Sequence, residues 1–178
     1  RKFITPNQKE QNDNRRIIFP YEYDSLIRRN KIISEIKMKN NYPYAYKYLQ
    51  DNREELDKRS VDKNIPAWYA YGRSQGINDS GLRLYLPYMA SKVHTSISIA
   101  DDEIFAAGYA IFNENESYLN FIGDILSSNL FSYYIASVSK PYSHGYFSTA
   151  KSQIKNFSIP SEKEFEERIK KDWNEKNV

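Results

Sequence analysis

LRLYLPYMASKVHTSISIADDEIFAAGYAIF, residues 82–112, is the stretch on which the fold turns. It holds three short runs rich in β-branched and aromatic side chains: Leu82–Tyr88, Val93–Ile99 and Phe105–Phe112. In the second run Val93, Thr95, Ile97 and Ile99 fall on one side, the period of two that marks a half-buried strand. A glycine- and turn-rich segment, 60–81, precedes the runs. Leu119, Ile122, Leu126, Leu130, Tyr134 and Val138 follow them at helical spacing and predict a long helix over about 117–138. Strands in one block and helices beside it predict an α+β fold, with a mixed or antiparallel sheet, flanking helices and a C-terminal helical part.

Toward the N-terminus, RRIIFPY (15–21) reads as a short β-type run whose Pro20 marks an edge strand or strand end. Ile27–Ile36 reads as a second strand with basic alternation. Pro43 suits a first helical turn, and Ala45, Leu49, Asn52 and Leu56 then share a face, so 43–59 reads as an amphipathic helix. Toward the C-terminus, 139–149 is a polar loop and 150–157 a helical turn. Ser161 and Glu164 form a capping box ahead of Phe165, Ile169 and Trp173. No domain boundary stands out: 1–178 reads as one domain, with a small helical part from about 150. The first residue is Arg1, which suggests a piece of a longer protein.

Composition removes several classes of function. With no cysteine, disulfide scaffolds, thiolate zinc sites and cysteine nucleophiles are excluded. No apolar run approaches the roughly 20 residues of a membrane span, so no membrane partner is expected, and the lack of cysteine fits a reducing compartment. The net charge of +3 hides an uneven spread. Residues 1–99 carry 18 basic and 11 acidic side chains, whereas 100–178 carry 8 and 12. Many of the 16 tyrosines are interleaved with the basic windows. Cations beside amphipathic rings suit a nucleic-acid face, and a solvated surface over an aromatic core has the same composition.

Catalytic signatures are sparse. No G-x-G phosphate loop occurs, and His94 and His144 have no spacing that suggests a metal cluster. Asp24 followed by Glu35-x-Lys37 has the spacing of a magnesium-dependent nuclease site, in which two carboxylates hold the metal and the lysine activates water. That triplet is short and common by chance.

PAWYAYGRSQG (66–76) is the densest motif. Arg73 can fork onto phosphate or guanine and Gln75 can bond an adenine edge, with Trp68 and Tyr71 shaping the turn. A structural turn with Trp68 and Tyr71 as core anchors and Arg73 in a salt bridge accounts for the same residues.

Taken in order, several stretches resemble the C-terminal target-recognition domain of TaqI-like DNA adenine-N6 methyltransferases, including those fused to type II restriction nucleases. These are RRIIFPY (15–21), YPYAYKYLQDNREELDKRS (42–60), AWYAYGRSQG (67–76), RLYLPYMA (83–90), YLNFIGDILSSNLFSYYI (118–135) and SHGYFSTAKSQIKNFSIP (143–160). The resemblance implies sequence-specific recognition of double-stranded DNA by this half of a restriction-modification enzyme. A catalytic methyltransferase domain in the same parent chain would then use S-adenosylmethionine on a flipped adenine. Neither an Asn-Pro-Pro-Tyr loop nor a Phe-x-Gly-x-Gly cofactor loop is present here, so no cofactor and no catalytic residue is expected in this piece. The expected DNA contacts are Arg73, Gln75, Lys140, His144 and Lys151, with Trp68, Tyr71 and Tyr146 shaping the loops. The alternatives are the recognition domain of a type I restriction specificity subunit, a small nuclease using Asp24, Glu35 and Lys37, and a structural interaction module.

Overall fold

Segment 82–112 does build the central sheet, but as shorter strands than its apolar runs. The computed structural model describes residues 1–5, 15–62, 64–73, 76–158, 161, 163–164 and 166–167. The elements are β1 (Lys2–Ile4), β2 (Tyr21–Asp24), β3 (Arg29–Ile32), α1 (Glu35–Asn41), α2 (Pro43–Asp51), α3 (Arg53–Asp57), β4 (Arg83–Pro87), β5 (Met89–Ala90), β6 (Ser96–Ser98), β7 (Glu103–Phe105), β8 (Gly108–Phe112), α4 (Glu116–Leu126), α5 (Asn129–Val138), β9 (Phe147–Ser148) and α6 (Lys151–Asn156). The fold is α+β. It divides into two units, one formed by Arg1–Ile4, Asn12–Ser80 and Asp101–Ile104, the other by Thr5–Gln11, Gly81–Ala100 and Phe105–Val178.

In the first unit β2 and β3 form an antiparallel hairpin in which Tyr21 faces Ile32 and Asp24 faces Arg29. The core is Ile33, Met38, Tyr46, Leu49 and Tyr69, all buried, with Trp68 and Leu56 packed against it. Ile27–Ile36 is therefore only partly a strand. Ser34 Oγ accepts the Lys37 N–H at 3.3 Å and starts α1, an N-cap outweighing the alternating pattern. The expected helix 43–59 is two helices, because Asn52 Nδ2 donates 2.8 Å to the Tyr48 carbonyl where α2 stops.

In the second unit β4 is the middle strand of an antiparallel sheet ordered β6-β4-β8. Every residue of β4 is buried. Leu84, Leu86, Val93, Leu119, Leu126 and Phe131 form the core that seats α4 and α5 on this sheet. Gly123 permits the close approach: a Cβ there would lie 3.0 Å from Thr95 Oγ1 and 3.1 Å from Leu84 Cδ1. The long helix expected over 117–138 breaks at Ser127–Ser128. Ser128 Oγ donates to the Ile125 carbonyl at 2.6 Å and accepts the Phe131 N–H at 3.3 Å, so one hydroxyl ends α4 and caps α5. The Ser161–Glu164 capping box is formed, the Ser161 hydroxyl donating to Glu164 Oε2 at 2.7 Å. Phe165, Ile169 and Trp173 lie outside the described residues.

Candidate nucleic-acid interface

Residues 66–73 belong to the first unit and are pinned largely by their own aromatic rings. Trp68 packs edge-on against Tyr46 and Tyr69, with the Arg53 guanidinium 4.5 Å above its ring. The Tyr69 hydroxyl donates 2.6 Å to the Ile33 carbonyl. Tyr71 donates its hydroxyl to the Ile18 carbonyl at 2.8 Å, and its N–H to Tyr21 Oη at 2.8 Å. Burial pushes the Tyr71 hydroxyl pKa well above the ordinary tyrosine value of 10.0. Arg59 closes the segment from behind, giving hydrogen bonds to the carbonyls of Leu56, Trp68 and Ala70. Trp68 and Tyr71 thus hold the turn in place, the role expected of them as loop-shaping residues and as core anchors alike.

Arg73 is the exposed cation of this segment, and its guanidinium is paired with the Asp62 carboxylate. Gly72 lies beside that pair, its carbonyl accepting the Asp62 N–H at 2.8 Å. A Cβ on Gly72 would meet the Ser60 carbonyl oxygen at 3.0 Å, so a larger residue there would press on that backbone. Gln75 lies outside the described residues.

Lys140, His144, Tyr146 and Lys151 belong to the second unit, on one hairpin and the helix after it. The expected loop 139–149 is a built element. Pro141 bridges antiparallel to Phe147, the Tyr142 N–H donates 2.8 Å to the Tyr146 carbonyl, and Ser139 Oγ donates 2.7 Å to the Ser148 carbonyl. His144 (φ 62°) and Gly145 (φ 72°) turn the tip in the left-handed region. For a histidine this conformation is uncommon, and it leaves the ring exposed at the apex. The hairpin is welded to the sheet through β5–β9 pairing and through the buried Thr149, whose hydroxyl donates to the Pro87 carbonyl. Two residues further on, Lys151 opens α6.

Charge is handled differently in the two units. Exposed lysines of the first are matched to nearby acids: Lys31 to Asp24, Lys37 to Glu22, Lys39 to Glu35, Lys47 to Asp51 and Lys58 to Glu55. Among the described residues of the second unit, Lys92, Lys140, Lys151 and Lys155 are exposed and make no ion pair. The three residues of the nuclease triplet are each engaged with a different partner. Asp24 holds Lys31 and is pulled below the ordinary carboxylate range by that hydrogen bond. Lys37 is bound to Glu22, and Glu35 to the Tyr46 hydroxyl. Among the described residues no three acids and histidines gather as a metal ion requires. No helix there is long and apolar enough to cross a membrane.

No protein-family model matches the chain. Over 171 residues it is 27% identical to the Type II methyltransferase M.MjaIV of Methanocaldococcus jannaschii, an alignment taking in 91% of this chain and 56% of that protein. The chain spans about half the length of this curated relative, and is similar in sequence to that part of a type II methyltransferase.

Proposed function

We propose that the chain is the target-recognition domain of a cytoplasmic restriction-modification adenine-N6 methyltransferase, and that its ligand is double-stranded DNA. The observation that carries this reading is the hairpin 139–149. It is joined to β5 through β9, carries an exposed histidine at its apex, bears Lys140 and is followed by Lys151, neither of which has an ion-pair partner among the described residues. Cations with no internal partner are available to displace counterions from phosphates, and a preorganised tip is available to read a groove. Arg73 joins by exchanging the Asp62 carboxylate for a phosphate or a guanine edge. Methyl transfer, with S-adenosylmethionine as the donor, belongs in this reading to a catalytic domain elsewhere in the parent chain. The similarity to half of a type II methyltransferase supports that division of labour.

Fluorescence anisotropy with labelled duplexes at several salt concentrations tests the proposal. Log affinity should fall linearly with log salt, with a slope of about 0.9 per phosphate neutralised, and Lys140→Ala and Lys151→Ala should each reduce that slope by about one. A salt-independent response, or a slope indifferent to both substitutions, would overturn it.

A further inference from the structure

The turn between β2 and β3 combines exposed apolar side chains with cations that have no partner among the described residues. Four residues, Ser25 to Arg28, join Asp24 to Arg29, the last facing pair of the hairpin. Leu26 is 92% exposed and Ile27 58%, although aliphatic side chains at a solvated tip gain nothing from exposure. The turn is nevertheless held in one shape. Asp24 Oδ1 accepts the Leu26 N–H at 2.9 Å and the Ile27 N–H at 3.4 Å, and Lys31 holds the other carboxylate oxygen at 2.7 Å. Arg28 takes φ 52°, which closes the turn.

Arg28 and Arg29 stand apart from the other cations of their unit. Among the described residues, each other lysine or arginine of the unit meets a carboxylate, a ring or a backbone carbonyl. Arg28 and Arg29 make no such contact there. An apolar point with a guanidinium pair beside it is complementary to a base step flanked by phosphates. A protein surface that buried Leu26 would have to supply acids for both arginines.

We propose that this hairpin is a DNA wedge: Leu26 inserts at a base step, partly unstacking it, while Arg28 and Arg29 engage the flanking phosphates. The inference rests on the chain being a duplex-recognition domain and adds a second, shape-dependent contact borne by the first unit. Flexible pyrimidine–purine steps are the preferred insertion points, since they unstack at least cost.

The test uses the whole chain and a set of duplexes carrying 2-aminopurine next to pyrimidine–purine steps. Binding should raise the base-analogue fluorescence, and donor–acceptor dyes at the duplex ends should report a bend. Leu26→Ala should abolish both signals and weaken binding about tenfold, roughly the worth of burying most of a leucine side chain. Leu26→Met should keep both signals. Arg28→Ala and Arg29→Ala should each lower the salt slope by about one. Salt-dependent binding without unstacking, or with unstacking unchanged in Leu26→Ala, overturns the wedge and leaves the recognition reading intact. Absence of any duplex binding overturns both. Full duplex affinity in Leu26→Ala, with loss of affinity for the separately expressed catalytic half, overturns the wedge in favour of a protein-docking turn.

Discussion

The Tyr46 hydroxyl donates a 2.5 Å hydrogen bond to the Glu35 carboxylate, fastening the first turn of α2 to the first residue of α1. That bond is the main reason the Glu35 carboxyl titrates below its ordinary value of 4.5 and the Tyr46 hydroxyl above 10.0. Trp68 Nε1 also pulls on Glu35, though no full hydrogen bond satisfies this buried N–H. The signs follow directly. Glu35, depressed in the folded state, contributes stability above pH 4.5 that is lost as pH falls through its folded value. Tyr46, raised, contributes below pH 10.0 and loses the contribution as pH rises through its folded value. Tyr46→Phe should therefore melt at a lower temperature than wild type at neutral pH, with the gap closing as the buffer is taken below pH 4.5. Thermal melts followed by circular dichroism across that range check the prediction; a gap constant with pH contradicts it.

Tyr21, Tyr69 and Tyr71 all have hydroxyls pushed above the ordinary value by burial. Their protonated forms stabilise the first unit below pH 10.0, and that contribution drains away as pH rises through the shifted values. Tyrosinate absorbance gained at the alkaline end should accordingly rise in step with loss of the circular dichroism signal. A fully reversible titration with secondary structure intact would count against this coupling.

Thr149 is completely buried, with its hydroxyl on the Pro87 carbonyl and its N–H 2.8 Å from the Tyr88 carbonyl. Thr149→Val keeps the volume but leaves the Pro87 carbonyl oxygen without that donor, for a loss of about 1–3 kcal/mol in urea unfolding. On the proposed reading duplex affinity should fall as well, because this residue anchors the hairpin that carries His144.

Gly108 faces Pro87 in the β4–β8 ladder, and a Cβ there would stand 2.2 Å from the Leu86 carbonyl oxygen and 2.5 Å from Phe105 Cζ. A backbone oxygen inside a sheet cannot retreat that far, so Gly108→Ala should destabilise by about 3 kcal/mol. The expected result is a lower urea midpoint with an unchanged slope.

Periodicity in the sequence carried as far as element type. The apolar density of β4 and β8 and the spacing of Leu119, Ile122 and Leu126 survive as sheet and helix. What periodicity hid were the places where one polar side chain competes with the backbone, Asn52 in 43–59 and Ser128 in 117–138. α1 was masked for the opposite reason, since Ile27–Ile36 alternates like a strand while Ser34 supplies the overriding cap. At the candidate site, the side-chain types on 66–76 and 139–149 could be read directly. Their environments could not, because Arg73 meets an acid eleven residues away and Tyr71 a carbonyl fifty-three away. The exposure of Leu26 at its turn tip has no signature in a single sequence.

Strand β7 begins in the first unit and ends in the second, and β1 pairs with it. The chain leaves the first unit after Ser80 and returns to it for Asp101–Ile104. For anyone exchanging segments of this chain with those of a relative, this fixes where a gene can be cut. A fragment ending at Ser80 would carry β1 without its partner strand, with Lys2 stripped of Glu103 and Arg16 of Asp102. A graft that exchanged only Gly81–Ala100 would bring in β4, β5 and β6 but leave β8 and β9, the partners of β4 and β5, inherited. Recombination can therefore trade tips and turns, such as 25–28 and 142–146, far more readily than it can trade the units that bear them.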